Sequence, residues 1–140
     1  MNDNKKVNLY TAFATNKDVE QDGVIVKYGD GISFRIARAG GSNSAFSKRY
    51  EVLMRPYRRL VQAGQMDTEV QADIMRQLYA ETVVRSWEGV TDRDGNALQF
   101  SVDNCKKVFA DLPDLFDDIV SHSMNASLYR EELREADAKN

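Results

Sequence analysis

The sequence predicts a mainly α (α+β) fold: a small helical bundle of about four helices with an N-terminal antiparallel β-hairpin and a short turn or hairpin at 88–100. Three observations carry this. "GVIVKYGDGISFRIAR" sets two alternating apolar runs on either side of Gly29-Asp30-Gly31. From Phe46 to Val61 the apolar residues then recur at spacings of 4, 3, 1, 3, 3 and 1, the beat of one helix face. Further stripes of that beat follow, each behind a residue suited to cap a helix.

The elements follow in order. Residues 1–22 are polar and rich in Asn, Lys and Asp, with a small apolar cluster at Leu9, Tyr10 and Phe13, and are expected to form a loose arm. A single helical domain is expected over 23–130, with its hairpin at 24–38, where glycines supply the positive φ of a tight connection. Ser42, Asn43 or Ser44 can cap the first long helix, whose stripe is Phe46, Tyr50, Leu53, Met54, Tyr57, Leu60 and Val61. Pro56 removes a backbone hydrogen bond inside it, so a kink is expected there, and Gly64 closes it. Asp67 can cap a second helix carrying Val70, Ile74, Met75, Leu78, Tyr79, Val83 and, at its end, Trp87. Ser101 can cap a third, with Val102, Cys105, Val108, Phe109 and Leu112. Pro113 suits the first turn of a fourth, whose stripe is Leu115, Phe116, Ile119, Val120 and Ser123. Residues 131–140 read as a charged, solvated tail.

Length and 42% apolar content suit one domain with an ordinary core. No stretch is long and apolar enough for a transmembrane helix, and the first residues lack a signal-peptide apolar region, so a soluble cytoplasmic protein is expected. One cysteine, Cys105, excludes an internal disulfide and a cysteine-cluster zinc site, and His122 is the single histidine. The net charge of −3 is unevenly spread. Residues 24–63 hold eight Lys/Arg against two acids, whereas 64–140 hold eight against sixteen. Such asymmetry suits an oriented self-contact or a charged partner, or simply neutralises itself within the fold.

"TDRDGNALQF" places Asp92, Asp94 and Asn96 at alternate positions, as a calcium loop does. The sixth position is Ala97 instead of glycine, and the twelfth is Asp103 instead of glutamate, so the stretch reads as a turn with no metal. Arg55, Arg58 and Arg59 form a basic face that nucleic acid would favour, yet they also flank an amphipathic stripe, and the pI near 5.2 makes nucleic acid the weaker expectation. Cys105 falls on an apolar face. Asp117 and Asp118 diverge around their helix. No nucleophile, base and oxyanion site come together, so the expectation is a non-enzyme without a cofactor.

"DGVIVKYGDGISFRIARAGGSN", "RPYRRLVQAG", "YAETVVRSWEGVTDRDGN" and "DLPDLFDDIVSHSMN" together resemble the tail assembly chaperones of long-tailed (siphovirus-type) bacteriophages and prophages, over roughly residues 10–130. The resemblance implies a non-enzymatic protein of the host bacterial cytoplasm that is absent from the mature virion. It implies association with the tape measure protein, and indirect contact with tail tube subunits through a longer frameshifted form. It also suits a homo-oligomer, with no membrane partner. The fourth helix and the segment after it, through Phe116, Ile119, Val120, Leu128 and Tyr129, are the first candidates for a client or self-association surface. The alternative is that they close the intramolecular core. Leu9, Tyr10 and Phe13 are the second candidates. The rival functions are a nucleic-acid-binding phage regulator and a structural tail or connector protein kept in the virion.

Overall fold

The computed structural model describes residues 8–130, so the tail expected at 131–140 lies outside the described residues. The chain runs α1 (Leu9–Phe13), α2 (Lys17–Asp22), β1 (Val24–Lys27), β2 (Ser33–Ile36), α3 (Ser44–Met54), a 3-10 turn (Arg55–Tyr57) and α4 (Arg58–Gln62). It continues with α5 (Thr68–Thr82), β3 (Val84–Glu88), α6 (Val102–Asp111), α7 (Pro113–Ser123) and a last 3-10 turn (Ala126–Tyr129). The fold is α+β: an antiparallel sheet of order β1-β2-β3 with helices packed on one face.

The hairpin forms as its alternation demands. Val24 pairs with Ile36 and Val26 with Phe34, and Gly29 and Gly31 take positive φ in the turn. The third strand is a correction to the sequence reading, which carried a helix on to Trp87. The helix stops at Thr82 and the chain passes directly into β3, pairing Phe34 with Trp87 and Ile36 with Val84. A bulge between Arg35 and Ile36 absorbs Arg85, so Val84 and Trp87, three residues apart, both face inward. The short turn or hairpin expected at 88–100 is present: Thr91 bridges to Ala97, Leu98 donates to the Val90 carbonyl at 2.9 Å and Asp92 to the Asn96 carbonyl at 2.9 Å.

The core lies between the sheet and α5–α7. Phe34, Ile36, Val84 and Trp87 meet Tyr79, Ala80 and Val83 of the α5 end, Cys105 and Phe109 of α6, and Ile119 of α7. Aromatic rings join edge to face: Phe34 lies 5.5 Å from Trp87, and Trp87 lies 5.2 Å from Phe100. Caps match the expected chemistry at Asp67, which accepts from Glu69 and Val70, and at Ser101, which accepts from Asn104.

Asn43 takes the cap position of α3 without capping it. Its side chain turns inward, and Nδ2 donates to the Arg38 carbonyl at 2.8 Å and the Thr82 carbonyl at 2.9 Å. Of the arm expected at 1–22, residues 1–7 lie outside the described residues, and residues 16–22 are packed into the fold. Asn16 donates to the Tyr129 carbonyl at 2.8 Å, Val19 and Glu20 are buried, and Glu20 pairs with Arg38. Burial opposes the Glu20 charge, but hydrogen bonds from Arg38 and Ser42 outweigh it and hold the carboxyl below its usual range.

The helix interrupted at Pro56 behaves differently from a core element. Its first part reaches the core through Phe46, which lies 5.5 Å from the Tyr79 ring. Yet no residue of α3, of the 3-10 turn or of α4 is fully buried. Residues 44–62 form a kinked arm leaning on α5, with Tyr50, Val52, Leu60 and Val61 exposed.

Candidate functional site: an apolar groove, a basic arm and an exposed N-terminal helix

Three surfaces remain once the core is accounted for. The first is a groove of about 670 Å³ between the hairpin turn, the loop at 89–98 and the corner where α6 meets α7. The turn contributes Tyr28, Ile32 and Phe34, the loop Val90 and Leu98, and the corner Val108, Leu112 and Leu115. Asp92, Asp94 and Asp111 stand on its walls with Arg93 and Lys107. Cavities of about 300–1,000 Å³ with apolar floors and a few polar groups are the usual form of a recognition site.

The loop that forms one wall is stiff for local reasons. Asp92 Oδ1 accepts from the backbone N–H groups of Asp94 and Asn96, both at 2.9 Å, and Gly95 donates to the Asp92 carbonyl at 3.1 Å. One carboxylate oxygen of the suspected calcium loop therefore holds the turn itself. Trp87 Nε1 donates to the Leu98 carbonyl at 2.9 Å and pins the loop's return. Gly89 lies so close to Gly31 that an added Cβ would strike the Gly31 carbonyl. Across the groove, Arg93 reaches Asp111 at 3.7 Å. Below it, the Tyr28 hydroxyl donates to Asp118 at 2.6 Å, and Asp118 also lies 3.2 Å from His122 Nε2. Burial first, then the Asp118 carboxylate, raises the Tyr28 phenol above its ordinary value. This links β1 to α7 as a structural tie.

The second surface is the arm. Arg55, Arg58 and Arg59 are all exposed, as the sequence predicted for a basic face, beside Leu60 and Val61. Arg58 reaches Glu51 at 3.2 Å, whereas among the described residues no carboxylate lies within 4 Å of Arg55 or Arg59. The third surface is α1. Asn8 caps it through Thr11, and Leu9, Tyr10 and Phe13 remain 74%, 84% and 65% exposed. Phe13 has the Arg130 guanidinium 5.1 Å from its ring centroid.

The fourth-helix candidates do not form a surface. Ile119 and Tyr129 are fully buried, and the Tyr129 hydroxyl donates to the Ile36 carbonyl at 3.1 Å. Phe116 is half-buried between Tyr79 at 5.5 Å and Phe109 at 4.8 Å, and Val120 packs against the same core. Leu128 is half-buried. They close the intramolecular core, the alternative the sequence left open. Sequence reasoning missed the groove, because its walls come from three separated segments whose approach depends on β3.

Cys105 is fully buried, and burial pushes its thiol up to about 12, which leaves it without nucleophilic character. Among the described residues no three His, Cys, Asp or Glu side chains are grouped as a metal site requires, and no helix is long and apolar enough to cross a membrane.

One family model matches the chain, that of the YdaY prophage protein, over residues 41–140. The match spans the arm, β3, the groove loop and α6–α7, and begins after the β1–β2 hairpin. No curated protein and no solved structure matches the chain.

Proposed function

We propose that this chain, which belongs to the YdaY prophage protein family, acts as a non-enzymatic assembly chaperone in phage tail morphogenesis, holding the tape measure protein soluble while the tail tube forms around it. The observation that carries this is α1. A short helix presents Leu9, Tyr10 and Phe13 on one face, and they stay largely exposed, with Arg130 lying over the Phe13 ring. A long client with apolar helix faces is what such a surface suits, and many copies along one client multiply a weak single contact. The resemblance of the sequence to tail assembly chaperones points to the same client. In this reading the protein works in the host cytoplasm and is left out of the finished virion.

The test is co-expression with the tape measure protein of the same prophage. The client's soluble fraction should rise, and the two should purify together. Replacing Leu9, Tyr10 and Phe13 by serine should abolish co-purification while leaving the urea midpoint unchanged, because none of the three is buried. Absence of a complex with the unaltered protein would overturn the reading.

A second reading, nucleic-acid binding, draws on the exposed arginines of the arm. It requires salt-sensitive DNA binding that disappears when Arg55, Arg58 and Arg59 are neutralised.

A further inference from the structure

We propose that the tip of the arm in one copy docks in the groove of a second copy, so that the chain associates head to tail. This goes beyond the chaperone reading and uses other residues, since that reading rests on α1.

The argument begins with what each surface lacks. The arm carries apolar and cationic side chains together. Leu60 and Val61 are 41% and 48% exposed, although they continue the stripe that began in the core at Phe46. Residues 44–63 hold five Lys/Arg against one acid, Glu51. A solvated helix face needs no such apolar pair, and the Pro56 turn presents it clear of α5's buried positions.

The groove carries the complementary set. Its floor is apolar, with Leu112 still 52% exposed at the corner. Three carboxylates stand on its walls against two cations, and one of those cations, Arg93, already faces Asp111. The helices behind it, residues 102–123, hold five acids against two lysines. None of the residues lining the groove comes from α3 or α4, so within one copy the two surfaces are separate. A volume of about 670 Å³ admits the two aliphatic side chains with the turn that bears them. Leu60 and Val61 would enter the floor, and the arginines would meet Asp94 and Asp111 at the rim.

Knob and hole are different patches, so the contact is heterologous and does not close on itself unless its rotation does. Each added copy leaves one arm and one groove open. The result is a ring or a filament, its growth weakened by salt because charge guides the contact.

The experiment measures molar mass by light scattering across protein concentration at low and high salt, using the full chain. The unaltered protein should grow with concentration at low salt and shrink as salt rises. The triple variant Arg55→Glu, Arg58→Glu, Arg59→Glu should self-associate more than about a hundredfold more weakly, and Asp94→Lys with Asp111→Lys likewise. An equimolar mixture of the two variants should regain growth, since each arm then meets a groove of opposite sign. That recovery also excludes misfolding as the cause of the loss. A monomer at every concentration, or variants that lose growth and do not regain it together, would overturn the proposal. So would an arm reversal that abolished DNA binding and left molar mass unchanged. Scoring tape measure co-purification in parallel separates this proposal from the chaperone reading, because either behaviour can fail while the other stands.

Discussion

Replacing Asn43 tests how the two halves of the fold are joined. The residue is 3% exposed, and its one amide nitrogen serves two carbonyls, of Arg38 after the hairpin and of Thr82 at the end of α5. Alanine removes both bonds and leaves two carbonyls facing a small void. Each orphaned buried acceptor costs about 1–3 kcal/mol, less where a second lone pair stays satisfied, so a total of about 2–4 kcal/mol is expected. Aspartate keeps the shape and removes both donors, pointing an anion at two carbonyl oxygens. Its compensations are Arg85, whose guanidinium lies 3.4 Å from the Asn43 side-chain oxygen in a part-buried contact, and the N-terminus of α3, and together they return only part of what burying the anion costs. Aspartate should therefore destabilise at least as much as alanine. Urea unfolding followed by the fluorescence of Trp87, the single tryptophan, gives the midpoint and slope together. The midpoint should fall at constant slope, with a melting temperature lower by about 10 °C. An alanine variant within about 0.5 kcal/mol of the unaltered protein, or an aspartate variant more stable than alanine, would refute the account.

Other outcomes follow from the same geometry. Glu20 has a folded-state pKa below its unfolded value, so its carboxylate stabilises fully above the unfolded value near 4.5 and loses that contribution as pH falls through the folded one. The difference in urea midpoint between the unaltered protein and Glu20→Gln should be widest near neutral pH and shrink in acid. Gly89→Ala, at φ +73 and against the Gly31 carbonyl, should cost about 2–4 kcal/mol and open the groove loop, measurable as faster amide exchange at Val90 and Leu98. The Cys105 thiol should stay unreactive toward a disulfide reagent in the folded protein, and its reaction rate should rise along the urea unfolding curve.

The parts legible in the sequence are those fixed by neighbours along the chain. The hairpin follows from alternation around Gly29 and Gly31, and α6 and α7 follow from Ser101, Pro113 and their stripes. β3 was hidden because Tyr79, Val83 and Trp87 keep a four-residue spacing that fits a helix. The observed strand instead uses a bulge at Arg85 to bring Val84 and Trp87 to one face. That bulge is set by the partner strand, not by local preference. The fourth helix follows the alternative the sequence left open: Ile119 is buried and Phe116 half-buried against the core that β3 helps to build. The arm marks a second limit. Its stripe has the spacing of a core helix, but periodicity records which side chains share a face and not whether anything lies against it. Of the eleven candidate surface residues, Leu9, Tyr10, Phe13 and the three arginines are exposed, and these lie on elements with no buried position.

The pairing of Phe34 with Trp87 also sets a schedule. During synthesis the hairpin leaves the ribosome with its inner face bare and waits for about fifty more residues, which at about 5–20 residues per second takes several seconds. Loop closure over that length must precede any gain from the third strand. Weak pairing in Val84–Glu88 would therefore be felt in newborn chains as well as in finished ones, as a yield that drops with rising growth temperature beside a lowered urea midpoint.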